Sequence, residues 1–193
     1  MPGRGNVIWR DWYTHEIVEN TPGEPVTLAA PLSHINVHIR DGSIILLHAK
    51  PAYTIEETRQ GPYSLLVSQS SQGLAFGTAY VDDGISNPPV PNRILKFLST
   101  SNEVVISSEG DFTIEQKLTD ITILGVNYEP TSVLINGRMV GNWTYGSQQK
   151  KLVAHEIDAD LNAPISLEWI GGLDDFQVDG VWLGRSTNSS NMQ

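Results

Sequence analysis

The residues able to do chemistry in this chain are a handful of carboxylates, histidines and aromatic side chains. Asp82 and Asp83 stand side by side, and with Asp11 or Asp41 brought near by folding they would offer oxygen ligands to calcium or act as general acid and base. Followed by Gly84, the same pair also reads as a turn whose carboxylate bonds the next backbone amides. His15, His34 and His38 complete the proton-transfer candidates. A helix would bring His34 and His38 together as a metal pair, but two same-face strand residues four apart lie about 13 Å apart at about 3.3 Å per residue. No metal and no cofactor is therefore expected. Trp9, Trp12, Tyr13 and Tyr80 would make a stacking platform for a sugar or an apolar ligand, or would pack between domains. His15-Glu16 and His155-Glu156 are adjacent pairs whose side chains point to opposite faces of a strand. No Ser-His-Asp arrangement can be read, because strand order alone does not place such residues in space. Gly171-Gly172 and Gly3-x-Gly5 lack the strand-to-helix setting of a phosphate loop.

Strands must position these groups. Apolar residues alternate or form short runs in the segments 34–39, 63–67, 93–98, 120–124 and 132–135. Turn signals separate them about every ten residues: Thr21-Pro22-Gly23, Asp41-Gly42, Gln72-Gly73, Asp83-Gly84, Asn136-Gly137 and Tyr145-Gly146. Asn136-Gly137 is the strongest, since both residues accept the positive φ of a type I′ hairpin. No segment keeps a helical period. The expected fold is all-β: an antiparallel β-sandwich preceded by a smaller β-unit, residues 1–50 forming the unit and 51–193 the sandwich with a C-terminal extension. Asn87-Pro88-Pro89-Val90-Pro91 is a stiff loop between strands of one sheet. The segment 176–183 reads as an added strand, and the tail from 186 as frayed.

Composition narrows the partners. With 193 residues, 39% of them hydrophobic, the chain can bury a core. Twelve Lys and Arg against 22 Asp and Glu give a net charge of −10, which repels nucleic acid and anionic membranes. The absence of cysteine excludes disulfides, thiolate metal sites and thiol nucleophiles. No apolar run approaches the roughly 20 residues of a membrane span. Asn142-Trp143-Thr144 and Asn188-Ser189-Ser190 are N-glycosylation triplets that matter only in a secretory setting.

Several segments occur together in an informative order: Trp9-Arg10-Asp11-Trp12-Tyr13-Thr14, Ala29-Ala30-Pro31-Leu32, the stretch 36–45, Thr54-Ile55-Glu56-Glu57-Thr58-Arg59-Gln60, Gly77-Thr78-Ala79-Tyr80-Val81-Asp82-Asp83-Gly84, Val126-Asn127-Tyr128-Glu129-Pro130 and Val133-Leu134-Ile135-Asn136-Gly137. In that order they resemble the C-terminal β-domains of glycoside hydrolase family 31, the α-glucosidases, from Gly3 to about Trp169. The resemblance implies that the part before Pro51 is a proximal β-domain packed on a catalytic barrel, and the rest a distal sandwich. It also implies that neither supplies the nucleophile, an aspartate in a Trp-x-Asp-Met-Asn-Glu-like barrel segment with no counterpart here. Compared with the family pattern, Asp41 replaces a glycine, Leu46 a proline and Ile85 an acid.

Two functions follow as expectations. One is a noncatalytic module that supports or rims a carbohydrate site. The other is a repurposed standalone protein that binds an apolar small molecule and steers a cyclisation or isomerisation, with His15, His34, His38, Asp41, Asp82 and Asp83 as candidate acids and bases. A carbohydrate-binding sandwich using Trp143 or Trp182 is a third reading. The partner is a small molecule or a carbohydrate, and a homo-oligomer would cover the former barrel-facing surface. The location is cytoplasmic if Met1 is the true start and extracellular if the chain is a piece of a secreted α-glucosidase.

Overall fold

A computed structural model describes residues 7–19, 21, 24–87 and 90–171. Among the described residues, thirteen strands and one short helix follow in chain order: β1 (Trp9–Asp11), β2 (His38–Arg40), β3 (Ser43–His48), α1 (Ile55–Gln60), β4 (Tyr63–Ser68), β5 (Ala75–Val81), β6 (Arg93–Thr100), β7 (Glu103–Gly110), β8 (Leu118–Leu124), β9 (Pro130–Ile135), β10 (Arg138–Met139), β11 (Trp143–Gly146), β12 (Lys151–Ala154) and β13 (Ile165–Gly171). β1 and β2 form a small antiparallel sheet, and the rest join one curled 11-stranded sheet in the order β10-β9-β13-β7-β6-β5-β3-β4-β8-β12-β11. The all-β sandwich expected from the alternation is present. It is a mixed sheet, parallel at the β3–β5 and β4–β8 junctions and antiparallel elsewhere. Pro51 falls between β3 and α1, and β3 is hydrogen-bonded to β4 beyond it.

Curling brings the inner faces of the two halves together. Leu95, Phe97, Val104, Ile106, Leu167 and Trp169 from one half share a single core with Leu65, Val67, Ile121, Ile123 and Leu152 from the other. Burial of such side chains contributes about 1.5–3 kcal/mol each, the main force holding the curl closed. β4 is buried on both faces, which explains its unbroken Leu65-Leu66-Val67 run. Leu66 and Leu124 face outward, where Ile39 of β2 covers them and Trp12, Ile45 and Leu47 pack around them. The β1–β2 unit thus sits on the outside of the β3–β4–β8 half.

Arg10 locks that unit in place. Its side chain is 1% exposed, and its Nη1 donates to the carbonyls of His15 and Gln149 at 3.4 Å each, bridging the unit to the turn before β12. Burial pulls its pKa down and the nearby Asp41 carboxylate pushes it back up.

The hairpin at Asn136-Gly137 forms as its chemistry requires, with φ of 48° and 75° and Ile135 paired with Arg138. β5 and β6 pair directly, so the strands flanking the proline loop do share a sheet. Two local expectations change. Only the end of the segment 34–39 is a strand, because β2 begins at His38. And α1 exists: the Thr54 hydroxyl accepts from the Glu57 amide at its N-cap, Glu56 and Glu57 occupy the positive first turn, and Arg59 the last.

Candidate functional site

The Asp82-Asp83-Gly84 turn leaves β5 beside α1, and its geometry is a clasp around Arg59. Asp82 Oδ1 accepts from the Gly84 amide at 2.8 Å. Asp83 Oδ1 accepts from the amides of Ile85 and Ser86 at 3.0 Å each, and its Oδ2 takes the Ser86 hydroxyl at 2.5 Å. The Ser86 hydroxyl above all, then those amides, hold the Asp83 carboxyl down at about 2. A carboxylate so strongly held ionised, with its oxygens spent on the turn, is a poor proton shuttle near neutral pH. Arg59 Nη1 donates to the Asp83 carbonyl at 3.1 Å and Nη2 lies 3.8 Å from Asp82 Oδ1. Gly84 has φ 66°, a conformation that demands glycine, while a Cβ there would only push aside the guanidinium end of the exposed, flexible Arg59 side chain.

A cleft of about 700 Å³ opens against this clasp. Tyr80, 58% exposed, stands in its wall with Arg59, Asp82 and Asp83, alongside Glu56, Gln60 and Gln116, with Leu46, Ile55, Ile85 and Phe112 giving apolar surface. His48, also in the lining, stacks on Tyr63 with centroids 4.9 Å apart. A flat ring flanked by amides and carboxylates can stack on a sugar face and bond its hydroxyls.

The other sequence-derived candidates gather in the N-terminal unit. Trp9 is half-buried on β1. Trp12 packs on the Ile39, Leu66 and Leu124 cluster. Tyr13 is 56% exposed, donates its hydroxyl to the Ile35 carbonyl at 3.2 Å and meets the His34 ring at 5.0 Å. Asp11 accepts from the amides of Tyr13 and Thr14 at 2.8 Å and from the Thr14 hydroxyl at 3.2 Å, and the Thr14 amide leads the bonds that lower its pKa. His38 pairs with Asp11 across the β1–β2 ladder. His15 has φ 62°, and burial, with the charges of Lys151 and Arg10, pushes its imidazole pKa down. Asp41 donates its amide to the Ile8 carbonyl, and its charge raises the Arg10 pKa. Tyr80, Asp82 and Asp83 therefore share the cleft, while Trp9, Trp12 and Tyr13 are absent from its lining. Trp143, read from sequence as an exposed sugar platform, is half-buried and packs against the core, because β11 turns it inward. Trp182 and the segment 176–183 lie outside the described residues.

One polar cluster was not legible in sequence. On the outward face of β8, β12 and β11, His155 Nδ1 lies 3.1 Å from Asp120 Oδ1 and its other ring nitrogen 3.4 Å from the Thr144 hydroxyl. Thr119 donates to Asp120 at 2.8 Å, and Asn142 to Glu156 at 3.0 Å. These groups line a cavity of about 590 Å³ with Lys50 and Pro62. The backbone at Glu156 and Asp158 is left-handed, with φ of 55° and 46°. The register that pairs Ile121 with Ala154 and Trp143 with Ala154 brings these strands' polar positions together, and register is what a single sequence does not state. Among the described residues no group of three or more His, Asp or Glu converges in a way that could hold a metal ion.

Fold and site together define an all-β sandwich module with a small β-unit clamped to its outer face. No family model matches the chain. An uncharacterised family 31 glucosidase of Schizosaccharomyces pombe is 40% identical over 159 residues, 82% of this chain and 16% of the relative. An α-glucosidase of Aspergillus niger is 35% identical over 185 residues, 94% of this chain and 17% of that enzyme. Among solved structures, the endoplasmic reticulum glucosidase II complex of catalytic subunit and regulatory-subunit binding domain aligns with TM-score 0.69 and 18% identity, over 84% of this chain and 20% of that one. The chain belongs with the C-terminal β-domains of glycoside hydrolase family 31 α-glucosidases, and it spans about a sixth of the length of these curated relatives.

Proposed function

We propose that this chain serves as a noncatalytic β-module of a family 31 glucosidase: its N-terminal unit buttresses a catalytic barrel, and the Tyr80 cleft borders a carbohydrate site. The observation that carries the reading is the N-terminal unit itself. It is anchored from beneath by buried Arg10, yet presents Leu32, Ile35, Tyr13 and Ile17 at 110%, 76%, 56% and 51% exposure. An anchored unit showing that much apolar surface fits a face built to meet a larger partner. The acid chemistry agrees, since retaining hydrolysis needs two carboxyl groups about 5 Å apart with one poised to protonate. Asp83 is committed to its own turn instead.

A graft tests the support role. Exchanged for the matching region of the Aspergillus niger enzyme, this chain should preserve turnover, and Leu32→Asp with Ile35→Asp should abolish it. Turnover that survives both substitutions would count against the buttress. The isolated chain should not hydrolyse maltose or a chromogenic glucoside; hydrolysis that disappears with Asp82→Asn would overturn the noncatalytic reading.

A second reading rests on Ile85, which stands where the family pattern has an acid and lines the cleft at 89% exposure. It makes the cleft a receptor for an apolar small molecule that is guided through a cyclisation or isomerisation. An apolar fluorescent probe that binds and is not displaced by maltooligosaccharide favours this reading; displacement by the sugar eliminates it.

A further inference from the structure

The triplet Asn142-Trp143-Thr144 lies at the entry to β11, an edge strand of the large sheet. We propose that Asn142 is an N-glycosylation site, receiving an oligosaccharide from a lipid-diphosphate donor when the chain passes through a secretory lumen. Strand alternation makes the triplet usable in the folded protein. Trp143 turns inward and packs against the core, while Asn142 and Thr144 are exposed on the opposite face. Their side chains open into the cavity of about 590 Å³ beside His155 and Glu156, so the first sugars have space. Among the described residues the Asn142 side-chain nitrogen has a single partner, Glu156 at 3.0 Å, itself exposed. The backbone is held independently, the Asn142 carbonyl accepting from the His155 amide at 2.9 Å.

In the transfer a bond forms between Asn142 Nδ2 and C1 of the donor's diphosphate-linked N-acetylglucosamine. The C1–O bond to the diphosphate breaks, the lipid diphosphate leaves with that electron pair, and one amide proton passes to base. The Thr144 hydroxyl is the third-position group that such an acceptor requires. Transfer precedes folding, and the fold decides whether the product is tolerated. Here the glycan would stand at the open edge of β11, where a bulky hydrophilic chain blocks strand addition by another molecule. The modification does not depend on the cleft or on the partner of the N-terminal unit.

The test is to secrete the full chain from a yeast host behind a cleavable leader and release N-glycans with peptide N-glycosidase in heavy-oxygen water. In peptide maps of the wild-type chain, the labelled form of the Asn142 peptide should outnumber the unlabelled form. Asn142→Gln and Thr144→Val should remove the corresponding gel shift, and Thr144→Ser should retain it. Recovery of the Asn142 peptide mainly unlabelled, including the case where label is confined to Asn188, overturns the proposal. Because the wild-type map needs no variant, a misfolded substitution cannot obscure the answer.

Discussion

Arg10 and Arg59 do the same job in opposite surroundings. Each ties a small element to the large sheet by donating to main-chain carbonyls beside a carboxylate. Arg10 does so at 1% exposure, with its Nε buried and without a hydrogen-bond partner among the described residues. Arg59 does so with its side chain 40% exposed to water. Water decides what each arginine is worth. A buried guanidinium cannot be removed without leaving the two carbonyls it bonds without their donor, whereas solvent replaces an exposed one at little cost.

Substitutions can break this comparison. Arg10→Met should cost about 3 kcal/mol in urea denaturation, the scale of removing one member of a buried polar arrangement. A loss below about 0.5 kcal/mol would put Arg10 in the same class as Arg59. Gly84→Ala comes next, since an αL conformation costs a non-glycine residue about 1–2 kcal/mol, and the exposed Arg59 guanidinium need only swing aside and give up its contacts with the turn. Combining it with Arg59→Ala should add little to the cost of Gly84→Ala alone, because displacing the guanidinium already forfeits its contacts, and a double-mutant cycle reads that coupling directly. Arg59→Met alone should lower stability by only about 0.5 kcal/mol, and less in high salt. A separate signal is in acid. Asp83 titrates at about 2 when folded, below the ordinary aspartate value of about 3.9. Its contribution is therefore complete above about pH 4 and lost as the pH falls toward 2. Asp83→Asn should flatten that limb of the stability curve, and an unchanged slope between pH 4 and 2 would refute the hydrogen-bond account of the turn.

His15 sharpens the contrast from the other side. Its folded pKa lies below its unfolded value, so the unfolded chain binds the proton more readily and stability falls as pH drops through the unfolded value of about 6.5. His15→Gln should lessen the fall in melting temperature between pH 7 and 5, with Arg59→Met as a control that leaves it intact.

Much of this arrangement was legible beforehand. Alternation marked β4, β6, β8 and β9, and Asn136-Gly137 marked its hairpin, because side-chain period and positive φ are local properties. α1 was missed even though Thr54, Glu57 and Arg59 carry its cap and end charges. A six-residue helix is too short to show a period. Arg10 reads in sequence as the polar residue of Trp9-Arg10-Asp11-Trp12, and nothing local says that β1 lies face-down on a second layer. The Asp120, His155 and Thr144 cluster needed three strands in one register, and its parts are scattered over 36 positions, Asp120 to His155 inclusive.

Sequence by itself determined that the chain is all-β, acidic and without cysteine, and that its ordered segments resemble the rear of an α-glucosidase. These follow from composition, from period-two alternation and from turn residues, each acting within a few positions. Tertiary structure alone decided that the Asp82-Asp83-Gly84 turn is a clasp for Arg59, that Tyr80 stands in a cleft apart from Trp9, Trp12 and Tyr13, and that Arg10 is buried. Those outcomes depend on which strands become neighbours and which faces are covered, and long-range packing sets both.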